Sequence, residues 1–98
     1  MVVGTLELEI FIPGSSSLKD KRRIVKSLRD KVRAKFNVSI AEIDFQDKWQ
    51  RALLGIAATN TDGGEIRNTL QRVKEVFEQQ GECLIAAEKF YFFQTRSD

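Results

Sequence analysis

Val2–Phe36, VVGTLELEIFIPGSSSLKDKRRIVKSLRDKVRAKF, changes its hydrophobic period once. At the start, Leu6, Leu8, Ile10 and Ile12 alternate with Thr5, Glu7, Glu9 and Phe11. A period of two predicts a half-buried strand over Val2–Ile12. Pro13-Gly14-Ser15-Ser16-Ser17 is then a turn. From Leu18 the period lengthens. Ile24, Leu28, Val32 and Phe36, with Leu18, Lys21 and Val25, fall in one sector at about 100° per residue, and Lys19, Arg22, Arg23, Lys26 and Arg33 spread over the other side. Ser17 followed three residues later by Asp20 has capping-box spacing, although Glu or Gln fills the second position better.

The remainder repeats the theme. Asn37 ends the helix, and Val38–Phe45 is a strand whose alternation breaks: Val38 and Ile40 share one parity, Ile43 and Phe45 the other. A bulge near Ala41-Glu42 reconciles the two halves. Gln46-Asp47-Lys48 is a hairpin turn. Trp49–Asn60 forms a third strand, with Leu54, Ile56 and Ala58 inward and Arg51, Leu53, Gly55 and Ala57 outward. Asp62 and Glu65 open a second helix with Ile66, Leu70, Val73 and Phe77 at helical spacing, and Gly81 is its expected left-handed stop. Cys83–Gln94 is the last strand. The order βαββαβ, with two one-faced helices to cover, predicts an α+β, ferredoxin-like sandwich: a four-stranded antiparallel sheet with both helices on one face. Ninety-eight residues leave room for one domain, spanning 1–98.

Composition narrows the function classes. At 42% apolar and 31% charged the chain is globular. Its lone cysteine, Cys83, excludes an internal disulfide and suits a reducing compartment. The first residues carry neither a basic n-region nor an uninterrupted apolar run, so no signal peptide or membrane span is expected, and the expected location is the cytoplasm. Histidine is absent, which removes the usual general base near neutral pH and the commonest zinc ligand. The expectation is a non-enzymatic protein with no cofactor, no metal and no identified small-molecule substrate. Glu42, Asp44 and Asp47 offer carboxylate oxygens for a hard cation but lack EF-hand spacing. Their plainer reading is as partners of Lys48 and Arg51 or as solvated turn charges.

Charge is unevenly distributed. Lys19–Lys35 holds nine Lys/Arg against two acids, a net +7, whereas the whole chain is only +2, so everything outside that segment sums to −5. A basic helix on an acidic body points to an anionic partner, RNA or ribosome before membrane. Lys19, Arg22, Arg23, Lys26, Arg29 and Arg33 are the candidate phosphate contacts. The alternative is a solvated helix paired with the acidic body. Ser15, Ser16 and Ser17, at the helix start, form a candidate anion-binding loop. Gly63-Gly64 does not, since Asp62 and Glu65 flank it and no P-loop pattern occurs. Trp49 either caps the core at the sheet edge or anchors a partner.

The open sheet face lacks the central aromatics that an RRM stacks on bases, offering glutamates and small residues instead. Its apolar remainder, with Val3 and Ala57 beside Phe11, Leu53, Tyr91 and Phe93, predicts a homodimer or protein-partner face.

Leu18-Lys19-Asp20-Lys21-Arg22, Lys26-Ser27-Leu28, Phe36-Asn37-Val38-Ser39, Ala41-Glu42 and Trp49-Gln50-Arg51-Ala52 followed by Gly55 together resemble the YlxP-like family, small bacterial proteins of unknown function. The resemblance spans nearly the whole chain and implies a ferredoxin-like fold. Genes of the family often lie beside those of transcription and translation factors, ribosome-binding factor A among them, which implies an RNA or ribosome link by association. It implies no catalytic residues. The expectation is therefore an RNA- or ribosome-associated binding protein acting in ribosome maturation or translation. The alternative is a dimeric scaffold or regulatory module that binds a protein through the open sheet.

Overall fold

A computed structural model describes residues 1–95. Its elements run β1 (Val2–Phe11), α1 (Leu18–Lys35), β2 (Ser39–Asp44), β3 (Arg51–Asn60), α2 (Gly63–Glu78) and β4 (Leu84–Gln94). The strands form one antiparallel sheet in the order β2-β3-β1-β4. This is the ferredoxin-like βαββαβ arrangement expected from the sequence. Each element lies within about two residues of its expected bounds; Trp49 and Gln50 precede β3 instead of opening it.

Both helices lie on one face, because only that face presents the alternate apolar row. Leu6, Leu8 and Ile10 of β1, Ala52, Leu54 and Ile56 of β3 and Ile40 of β2 meet Ile24, Val25, Leu28 and Val32 of α1 and Ile66, Leu70, Val73 and Phe77 of α2. Gly4 belongs to the same inward row and permits the close approach of α2. A Cβ there would lie 2.2 Å from Ile66 Cγ2 and 3.0 Å from Leu70 Cδ1.

Two local expectations change. The bulge in β2 falls one residue later than expected, between Glu42 and Asp44. Glu42 therefore keeps an inward position opposite Leu54, while Ile43 lies on the outer face, packed across Gly55. Gly81 is not left-handed. Among the described residues no glycine has positive φ, and α2 ends at Gln79 in an ordinary right-handed conformation whose N–H donates to the Glu75 and Phe77 carbonyls. The single positive-φ residue described is Phe45, at 64°.

Candidate functional site

A buried charge adds a specific tie between α1 and the sheet. Lys21 lies at the centre of the apolar sector of α1 and is fully buried. Its aliphatic stem suits that position, but its ammonium needs partners there. Nζ lies 2.5 Å from Glu42 Oε2 on β2 and donates to the Phe45 carbonyl at 2.5 Å. Glu42 Oε2 accepts no well-aligned hydrogen bond from described residues, so its hold on Lys21 is that of an ion pair. The Phe45 carbonyl also accepts the Lys48 N–H at 3.0 Å, closing the β2–β3 turn. Asp44 Oδ1 accepts the Phe45 N–H at 2.7 Å, and Arg51 stacks on the Phe45 ring at 4.1 Å. The left-handed Phe45 is thus held from both sides. Glu42 consequently pairs with neither Lys48 nor Arg51, the partners expected from sequence. Arg51 instead pairs with Glu9 at 3.2 Å.

The serine turn is built by the chain's own carboxylate. Ser17 Oγ accepts the Asp20 N–H at 3.0 Å, the forward half of the expected capping box. The returning half overshoots by one residue: Ser16 donates through Oγ at 2.7 Å and through N–H at 3.3 Å to Asp20 Oδ2. Ser15 is buried, its Oγ donating to the Ser17 carbonyl, and Gln50 Nε2 donates to the carbonyls of Pro13 and Ser15. The Ser16 donors of the candidate anion-binding loop therefore already face an anion, Asp20. Those bonds, led by the Ser16 hydroxyl and then its N–H, with Arg23 and Lys19 adding attraction, hold the Asp20 carboxyl below its ordinary pKa.

The six candidate phosphate contacts do share a surface. On a helix of 3.6 residues per turn they span an arc of about 120°. Lys19, Arg22, Arg23, Lys26 and Arg33 are exposed and Arg29 is partly buried. Lys26 pairs with Asp30 at 3.0 Å, and this bond keeps the Asp30 carboxyl below its ordinary pKa. Arg33 donates through Nη2 to the Ile40 carbonyl at 3.1 Å, tying the stripe to β2. Arg22, Lys26, Arg29 and Arg33 follow one another at i, i+4, i+7 and i+11 along the flank that faces β2. Their span is about 16 Å at 1.5 Å per residue.

The residues expected to form a partner face share the outer sheet surface, but in two groups. Phe93 sits opposite Val3 and Tyr91 opposite Thr5 at one end; Phe11 sits opposite Leu84 and Arg51 at the other, with Leu53 opposite Glu9. Between them runs a charged band, with Lys89 opposite Glu7 and the Glu9–Arg51 pair. Trp49 does not cap the core: it is 56% exposed at the β2–β3 turn. Of the three carboxylates considered for a cation, Glu42 is committed to Lys21 and Asp44 to the Phe45 N–H. Among the described residues no three His, Cys, Asp or Glu side chains group as metal ligands, and no helix is long and apolar enough to cross a membrane.

Comparison with known proteins places this geometry in a family. A designed protein with a ferredoxin fold superposes with a TM-score of 0.57 at 15% identity, covering 100% of this chain and 91% of its own. SnoaB, a cofactor-independent oxygenase from Streptomyces nogalater, superposes at 0.54 with 10% identity, covering 100% and 97%. At such identities the likeness is one of fold alone. The uncharacterized protein YlxP of Bacillus subtilis is 44% identical over 72 residues, which are 74% of this chain and 78% of that protein. The model of the DUF503 family, described as proteins of unknown function, matches residues 3–89. The chain therefore belongs to the DUF503, YlxP-like family.

Proposed function

We propose that the protein is a non-catalytic RNA-binding protein, associated with the ribosome in the cytoplasm, that presents α1 to backbone phosphates. The observation that carries this reading is the concentration of Lys19, Arg22, Arg23, Lys26, Arg29 and Arg33 on one helical arc where only Lys26 has a carboxylate partner among the described residues. The local surplus exceeds what helix pairing needs, because a single i,i+4 ion pair lies within α1. The six residues, which run about 21 Å along the axis from Lys19 to Arg33, also outrun one phosphate, since phosphates of one duplex strand advance ~3.4 Å each along the axis.

The test is binding to ribosomal subunits and structured rRNA fragments across a salt series. Six contacts give a log–log slope of about −4 to −5, at ~0.7–0.9 per contact. Lys19→Glu/Arg22→Glu/Arg23→Glu should reduce that slope by about half. The variant keeps its fold, because acidic groups near a helix N-terminus complement the dipole. Absence of binding by the folded wild type at low salt refutes the reading.

The exposure of Phe93 (54%), Tyr91 and Leu84 favours a second reading, a homodimer or scaffold formed through the outer sheet face. It predicts little RNA affinity and a sedimenting dimer that Leu53→Asp and Phe93→Asp each dissociate.

A further inference from the structure

We propose that the groove between α1 and the edge strand β2 is the seat of one phosphodiester group, anchored by Arg29; the identification of its source as RNA rests on the function proposed above. The groove encloses about 340 Å³, and Arg22, Lys26, Arg29, Arg33, Asp30 and Glu42 contribute its charged lining. Each acid there has its own lysine. Asp30 is held by Lys26 at 3.0 Å and Glu42 by Lys21 at 2.5 Å. Three guanidiniums are left with no ion-pair partner among the described residues.

Arg29 is the telling member. Its Nε is buried and has no hydrogen-bond partner among the described residues. A buried donor left unpaired is costly, and native proteins leave few of them. The described arginines outside α1 are all placed differently. Arg51 lies 4.1 Å from the Phe45 ring centre, Arg67 4.2 Å from that of Phe92 and Arg72 5.5 Å from that of Phe36. Arg33, tethered to the Ile40 carbonyl at 3.1 Å, is pre-positioned at the groove's edge. A tetrahedral oxyanion accepts from several planar guanidinium forks at once, which an ammonium cannot reproduce. The groove therefore matches a phosphate rather than a diffuse negative field.

The assay follows arginine Nε–Hε cross-peaks by NMR while a structured rRNA fragment is added, beside affinity measurements on wild type and Arg29→Lys. The lysine variant keeps the charge and removes Nε, and its fold is checked by thermal unfolding. A saturable Arg29 shift larger than those of Arg67 and Arg72, with roughly tenfold weaker binding by Arg29→Lys, is the expected result; ~tenfold is the scale of one charge-assisted hydrogen bond. The salt slope should stay unchanged, because the number of neutralised phosphates does. RNA binding with a stationary Arg29, or with full affinity in Arg29→Lys, overturns the groove while leaving α1 as an RNA-binding face. If no RNA binds, inorganic pyrophosphate decides alone: a saturable Arg29 shift upholds an oxyanion seat with another source, and none overturns it. A glutamate-rich peptide that shifts Arg29 more than RNA or pyrophosphate does also overturns it.

Discussion

Replacing Lys21 by methionine tests how α1 is fixed to the sheet. Methionine keeps most of the buried stem's bulk and removes only the ammonium. Breaking a buried ion pair from one side typically costs ~3–5 kcal/mol, because the surviving charge stays desolvated. Here the survivor is Glu42, whose side chain is 16% exposed. Water reaching that carboxylate lowers the expected cost to about 2–3 kcal/mol. The Phe45 carbonyl adds little to this, since it retains the Lys48 N–H at 3.0 Å. For a domain of this size, a loss of about 2–3 kcal/mol corresponds to a fall in Tm of about 8–24 °C. Urea unfolding followed by circular dichroism measures it. Lys21→Met/Glu42→Met should recover to within about 1 kcal/mol of wild type, since apolar replacement of a whole buried pair is often neutral or stabilising. A double-mutant cycle then gives a coupling of at least ~2 kcal/mol, because Glu42→Met alone leaves the fully buried Lys21 ammonium unpaired. Loss of less than ~0.5 kcal/mol in Lys21→Met, or simple additivity in the double variant, refutes the reasoning.

Other outcomes follow from the packing and the titrating groups. Gly4→Ala drives a methyl to 2.2 Å from Ile66 Cγ2, and should cost about 1–3 kcal/mol by urea unfolding; Gly4→Ala/Ile66→Ala should be less than additive. Burial, and to a smaller extent Glu82, pushes the Cys83 thiol above its ordinary pKa. Folded protein should therefore react with thiol reagents orders of magnitude more slowly than urea-unfolded protein. Because the folded state holds this proton to higher pH, stability should fall as pH rises through and above the ordinary thiol range, and Cys83→Ala should flatten that limb. Ser16→Ala should raise the Asp20 pKa toward its ordinary value, read by carboxyl ¹³C titration. In wild type the contribution of Asp20 is present at neutral pH and is lost as pH falls through its depressed pKa.

Element order and core were legible because the strand and helix periods survive without tertiary help: Leu6–Leu8–Ile10 and Ile66–Leu70–Val73–Phe77 all face inward as read. Lys21 was also visible, as a charge in the middle of an apolar sector. Its partner was not. Whether Glu42 points in or out turns on a bulge, and alternation alone cannot separate a bulge at Ala41-Glu42 from one a residue later. Asp20 taking both Ser16 donors was hidden for a similar reason, since a one-residue overshoot leaves the spacing signal unchanged. Gly4 carried no local sign, because its role depends on how closely α2 approaches β1. Gly81 misled in the opposite direction: glycine permits a left-handed stop but does not require one. Of the candidate interface, the basic stripe was readable from helical spacing alone. The groove beside it was not, because it depends on β2, whose Glu42 joins Arg22 and Arg29 in its lining only once the sheet has formed.

The central place of β1 has a consequence for the order in which the molecule can assemble. β1 pairs with β3 on one side and β4 on the other, matching Val2 to both Asn60 and Gln94. During synthesis this strand is made well before either of its neighbours. Until Leu84–Gln94 is available, one whole backbone edge of β1 is bare. High-contact-order closure of this kind slows folding and prolongs exposure of an edge that other chains can join. The last strand to emerge thus seals the sheet beside its oldest member, and a chain cut short before Leu84 would leave β1, which carries Leu6, Leu8 and Ile10 of the core, as an open margin.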